Sequence, residues 1–301
     1  MKIYEFSTEY GILKYKVMED HIVITEYSGK DIILTVPVNI DGLPVTVIGK
    51  KAFLAVRELK ELSLPESVNT IQDWAFASCR NLESITMPKK KLEIGQGILK
   101  DCIKLCRIIT LGEEKESQTS YLLAAVMNKL DAFYLFDTET AGSPGWLEQW
   151  DARMLSLIER EDSEGFSKML LCGEEDYGSR ENNLDYYIEQ KRRFKVRLAM
   201  LRLMHDTGLK DAVKNILLTY LKSHTKGADS EETWQVVLEE YGDEKQYYQL
   251  LLDTDCITAE NIEAILEDMG ERHTEMKAFL MNYQSANFKK EDMFADLEFE
   301  L

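Results

Sequence analysis

Along the first third of the chain, apolar residues alternate with polar ones in short runs. Leu62 and Leu64 alternate with Glu61 and Ser63, and Ile85 and Met87 alternate with Ser84 and Thr86. A period of two is the signature of a strand with one buried face. Pro65 and Pro88 end these runs, because proline brings no N–H to a ladder. Past the first 117 residues the period becomes 3.6. Ile262, Ile265, Leu266 and Met269 sit at i, i+3, i+4 and i+7, with Thr258 expected as N-cap and Gly270 as C-cap. Met276, Phe279, Leu280 and Tyr283 repeat the spacing, so the two segments read as a helix–turn–helix pair. Further helical patterns run over about 119–136, 146–161, 182–205, 208–223 and 231–252. Gly142-Ser143-Pro144-Gly145, Tyr177-Gly178-Ser179 and Lys226-Gly227-Ala228-Asp229 separate them, and such short loops make neighbouring helices antiparallel.

The strand runs belong to a repeat. Ile48-Gly49-Lys50-Lys51-Ala52-Phe53 lies over Ile71-Gln72-Asp73-Trp74-Ala75-Phe76 at an offset of 23, and Leu59, Leu62, Leu64 and Pro65 lie over Leu82, Ile85, Met87 and Pro88. A weaker third copy carries Ile94, Leu99, Cys102, Leu105 and Ile108. Ahead of them, Leu34-Thr35-Val36-Pro37 matches Leu62-Ser63-Leu64-Pro65, with the loop Asn39–Pro44 as the extra length. One such unit cannot bury its own apolar side, but stacked neighbours can. The region is therefore expected to be a small solenoid with a parallel sheet. Leu62, Leu64, Ile85, Met87 and Ile108 should face in. Glu61, Ser63, Ser84, Thr86, Arg107 and Ile109 should face out, as a candidate binding face over four rungs at about 4.8 Å each.

This pattern resembles the BspA-type leucine-rich repeats of bacterial surface proteins and some protists, similar to I-G-x-x-A-F-x-x-C-x-x-L-x-x-I-x-I-P. Here it reads Ile71-Gln72-Asp73-Trp74-Ala75-Phe76-Ala77-Ser78-Cys79, then Leu82, Ile85, Met87 and Pro88. His21–Gly29 looks like the family's N-terminal β cap, and Gly42–Gly49 leads into the first Ala-Phe pair. Gln72 replaces the motif glycine, and the third copy lacks Ala-Phe and the closing proline, as terminal repeats do. The resemblance implies recognition of a protein or a surface, without catalysis.

The fold class expected is α+β in two domains. A short leucine-rich-repeat solenoid at 1–112 is followed by an all-α domain of helical hairpins at 118–301, with Gly112–Ser117 as the linker. Charge sharpens this division. The 301 residues carry 36 Lys and Arg against 54 Asp and Glu, a net of -18, of which only -1 falls up to Ser117 and -17 beyond it. Such acidity repels phosphate backbones, so nucleic acid is not expected as a partner. No apolar run approaches the ~18 residues of a membrane span. The first residues lack the apolar core of a signal peptide, so a cytoplasmic location is expected, although relatives of the repeat are often surface-exposed.

The residues of chemical interest point away from catalysis. No phosphate loop, Gly-x-Ser-x-Gly elbow or His-Glu-x-x-His occurs, and Gly95-Gln96-Gly97 lacks the third glycine of a dinucleotide loop. His21, His205, His224 and His273 lack ligand spacing; no catalytic residue, metal or cofactor is expected. An odd five cysteines fit free thiols. Cys79 and Cys102 share a repeat position, about 5 Å apart, which permits either a disulfide or two buried thiols. Lys191, Arg192, Lys195 and Arg202, with Arg193 and Arg197, form a basic stripe on one helix. It either binds an anionic partner or lipid headgroups, or pairs internally with the surrounding acids. Trp146 and Trp150 read as core. The function expected is a non-enzymatic adaptor that binds a protein partner through the repeat face and the helical domain. The alternatives are a structural subunit of an assembly, or an effector with activity in the helices.

Overall fold

The computed structural model describes residues 2–114, 117–172 and 183–288. Eleven strands precede the helices among these residues. Strands β1 (Tyr4–Ser7), β2 (Gly11–Val17) and β3 (Ile22–Gly29) form an antiparallel meander. The solenoid winds onward through β4 (Ile33–Thr35), β5 (Asn39–Ile40), β6 (Leu43–Ile48), β7 (Glu61–Ser63), β8 (Thr70–Ile71), β9 (Ser84–Met87), β10 (Glu93–Ile94) and β11 (Arg107–Thr110). It makes two ladders. One is the parallel sheet β4-β7-β9-β11, and the other runs β1-β2-β3-β6-β8-β10, with β5 paired to β6.

Register follows the repeat. Leu34, Leu62, Ile85 and Ile108 align across the first ladder, and all are buried. Ile24, Ile48, Ile71 and Ile94 align across the second. The Ala-Phe segments stack as a third side. The N–H groups of Lys51, Phe53 and Ala55 donate to the carbonyls of Asp73, Ala75 and Ala77, and those of Trp74, Phe76 and Ser78 donate to Gln96, Ile98 and Lys100. Each segment holds two left-handed residues at fixed repeat positions. These are Lys51, Trp74 and Gly97 at φ +60°, +59° and +60°, and Ala55, Ser78 and Asp101 at +58°, +60° and +60°. Gly97 therefore belongs to the turn of a repeat. Tyr27, Phe53 and Phe76 form an aromatic column with centroids 5.6 and 5.5 Å apart. The loop Asn39–Pro44 is a hairpin between β5 and β6, and positive φ at Asp41 and Gly42 gives the turn that suits strand twist.

Two compact units emerge, Met1–Met154 with His205–Gly208, and Leu155–Met204 with Leu209–Leu301. In the first, helix α1 (Gln118–Asn128) packs against β11, the last rung. The pattern read over 119–136 stops at Asn128, because Asp131 turns left-handed at φ +46° and a 3-10 turn follows at Phe133–Leu135. Helix α2 (Pro144–Ile158) opens on proline, whose missing N–H costs nothing in a first turn. Trp146 and Trp150 are buried, and their indole N–H groups donate to the carbonyls of Leu135 and Leu122 at 2.8 and 3.0 Å.

The second unit contains α3 (Phe166–Cys172), α4 (Leu184–Met204), α5 (Asp211–Ser223), α6 (Glu232–Glu240), α7 (Lys245–Asp253), α8 (Ile262–Met269) and α9 (Thr274–Asn287). The span 231–252 is two helices, not one: the chain breaks at Tyr241-Gly242-Asp243, and the imidazole of His273 sits where a side chain on residue 242 would stand. With that break in place, α6–α7 and α8–α9 prove to be a repeat at an offset of 28. Trp234, Val237, Tyr248 and Leu252 correspond to Ile262, Ile265, Met276 and Leu280, all buried, and Gly242 corresponds to Gly270. Helix α8 begins at Ile262, later than Thr258 as cap would place it, because the Asn261 carboxamide oxygen accepts the Thr258 N–H at 2.9 Å and holds a turn there. Gly270 does end it, at φ +56°. Helix α3 has no counterpart in the sequence reading, and the separator Tyr177-Gly178-Ser179 lies outside the described residues.

Candidate functional site

The exposed side of β4-β7-β9-β11 presents two rows of side chains across the rungs. Ile33, Glu61, Ser84 and Arg107 make one row, and Thr35, Ser63, Thr86 and Ile109 make the other. They line a groove of about 320 Å³. Glu61, Ser63, Thr86 and Arg107 are half-buried, whereas Ser84 and Ile109 are buried and form its floor. Ser84 is short and flanked in register by Glu61 and Arg107, and Ile109 lies on the strand against which α1 packs. Ile33 is 65% exposed at the near lip.

What distinguishes this groove is how little its side chains bond to one another. Those of Thr35, Glu61, Ser63, Ser84 and Thr86 make no hydrogen bond or ion pair with another described residue; Arg107 does have a partner. A larger groove of about 760 Å³ lies over the second ladder, lined by Asp20, His21, Pro44, Thr46, Asn69, Thr70, Lys91 and Glu93 among others. There several of the polar groups bond to one another. The His21 ring meets Asp20 at 2.8 Å, and the Thr70 hydroxyl lies 3.2 Å from both Asn69 and Glu93. The side-chain oxygens of the first groove are not among the buried unpartnered atoms of the described residues, so water reaches them.

The basic stripe sits on α4 in the second unit, against acids of that unit. Arg192 contacts Asp162 at 2.8 Å and Glu232 at 3.4 Å, and Lys195 contacts Asp162 at 2.7 Å. Arg193 meets Glu239 and Glu240 at 2.8 and 2.7 Å, and Arg197 meets Glu240 at 2.6 Å. Burial raises the carboxyl of Glu240 while its bonds to Arg197 and Arg193 lower it more strongly, so it stays ionised to below the usual range. Arg202 is fully buried. Lys191 is exposed, with its ammonium 5.1 Å from the centre of the Tyr187 ring. The geometry is that of an internal ionic network.

Cys79 and Cys102 are free buried thiols, donating to the carbonyls of Phe53 and Phe76 at 3.0 and 3.2 Å. Burial pushes them up to about 11 and about 12. His205 stacks on Tyr121 at 4.1 Å, and His273 contacts Asp243 at 2.9 Å. Among the described residues no group of three His, Cys, Asp or Glu could hold a metal ion, and no helix is long and apolar enough to cross a membrane.

Residues 37–135 match the family model of the BspA type leucine rich repeat region, in six copies. Among solved structures, the chain is similar to the leucine rich repeat protein of T. pallidum at 35% identity, over 35% of this chain and 50% of that one, with a TM-score of 0.32. It is also similar to a leucine rich cell surface protein of Faecalibacterium prausnitzii at 22% identity, over 35% and 30% of the two chains, with a TM-score of 0.31. A leucine-rich repeat protein of Bacteroides ovatus gives 22% identity over 35% and 29%, with a TM-score of 0.31. The chain thus spans half or less of each of these three structures. No curated protein matches it.

Proposed function

We propose, for a chain whose first third is a solenoid of BspA-type leucine-rich repeats, that it is a non-enzymatic adaptor that takes a protein partner in the groove over β4, β7, β9 and β11. Leucine-rich repeats serve protein–protein interaction or surface functions in general. The observation that carries the finer reading is the set of five polar side chains in that groove without a hydrogen-bond or ion-pair partner among the described residues. Thr35 is exposed and Glu61, Ser63 and Thr86 are half-buried, so their oxygens are open to a ligand that takes the place of the water on them.

Ser63→Trp is the direct test, because an indole there fills the groove from a half-buried position without entering the core. The variant should keep its circular dichroism and lose the partner that the wild-type chain retains. A partner held equally by both would place the interface elsewhere.

A further inference from the structure

Resting on that reading, the charge pattern of the groove narrows the partner. We infer that the groove accepts an extended polypeptide segment that places a lysine or arginine side chain on Glu61. The Glu61 carboxylate stands on β7, between Ile33 and Ser84 in register, and is the one acid among the residues lining the groove. Its neighbour Lys60 is committed to Glu83 at 3.3 Å, so Glu61 makes no ion pair of its own with a described residue. A half-buried carboxylate is best satisfied by a charge-assisted donor, and those that a protein chain supplies are ammonium and guanidinium groups. Arg107 closes the far end two rungs on, about 10 Å away, so a cation is read at the Glu61 end of the groove.

The remaining lining fits a peptide in preference to a sugar. Thr35, Ser63, Ser84 and Thr86 offer hydroxyls that donate to or accept from a main chain. No aromatic ring lines the groove to stack on a sugar face. Ile33 offers an exposed apolar contact beside Glu61. A second copy of this chain is a poor occupant, since each carries a net -18 and the two would repel. The same charge draws a basic segment in, and makes its capture sensitive to salt.

The test is selection of a displayed library of random dodecapeptides on the immobilised full chain, followed by titration of a resynthesised binder. Binders should share a lysine or arginine, lose about tenfold in affinity against Glu61→Gln, weaken as salt rises, and fail against Ser63→Trp. Glu61→Gln keeps the shape of the side chain, so its fold is not at stake. Binders without a shared basic residue that still fail against Ser63→Trp would overturn the charge assignment and leave the groove as the binding site. Binders indifferent to Ser63→Trp would overturn the groove reading as well. A library that yields no binder would overturn the inference that an extended segment suffices.

Discussion

Asp31 is a carboxylate only 2% exposed, tying the meander to the first turn of the solenoid. It accepts from the hydroxyls of Thr8 and Tyr27 at 2.5 and 2.7 Å and from the N–H of Tyr10 at 2.9 Å. Burial opposes its ionisation, but these three donors outweigh burial and hold the carboxyl below the ordinary range. A depressed acid contributes stability that is full above its unfolded value near ~3.9 and is lost as pH falls through the folded one. Acid titration should therefore destabilise the wild type below about pH 4 more steeply than Asp31→Asn. At neutral pH the variant should lose about 2 kcal/mol in urea unfolding, the scale of hydrogen bonds to a charged group. Nothing in the sequence marked this residue, since a lone aspartate after Gly29-Lys30 has the look of a turn. Its role exists only once Thr8, Tyr10 and Tyr27 converge on it. The thiols give a second test at this scale. Iodoacetamide at neutral pH should label exposed Cys106 in the native protein and reach Cys79, Cys102 and Cys256 only on unfolding, as mass mapping would show.

Among the elements, the solenoid was the more legible half. Its 23-residue offset placed Leu62 over Ile85 and Leu59 over Leu82, and a parallel ladder turns such a repeat directly into register. What the offset concealed was depth. Ser84 and Ile109 alternate outward like Glu61 and Ser63, yet lie on the floor of the groove because of their neighbours. The helices were read less well for a reason of spacing: 3.6-residue periodicity continues across Tyr241-Gly242-Asp243, so α6 and α7 looked continuous and their repeat in α8 and α9 stayed hidden. Two variants examine these elements. Gly95→Ala would bring a methyl group to 2.4 Å from the Asp73 nitrogen, and should destabilise the last rungs by about 1–3 kcal/mol in urea unfolding. Glu240→Gln leaves Arg193, whose side chain is 9% exposed, and Arg197 without their shared carboxylate charge. It should cost about 2 kcal/mol by the same measurement, and a neutral result would mean the α4 network adds nothing to stability.

At the scale of the whole molecule, the charge is divided as the secondary structure is. The strand-rich part up to Ser117 is nearly neutral at -1, and the helical remainder carries -17 even though α4 supplies a run of cations. Those cations contact Asp162, Glu232, Glu239 and Glu240 within their own unit. The long-range field is therefore that of an acidic protein, the sign that suits the basic segment proposed for the groove. Within that field the specificity proposed for the groove over β7 and β9 rests on a single carboxylate set among hydroxyls. The most direct measurement is affinity capture from native lysate in parallel with the wild-type chain, Ser63→Trp and Lys191→Glu, with mass spectrometry of what each retains. The expectation is one stoichiometric protein held by the wild type and by Lys191→Glu and absent from Ser63→Trp. Retention by Ser63→Trp together with loss from Lys191→Glu would contradict it, and would move the binding surface from the solenoid to the helices.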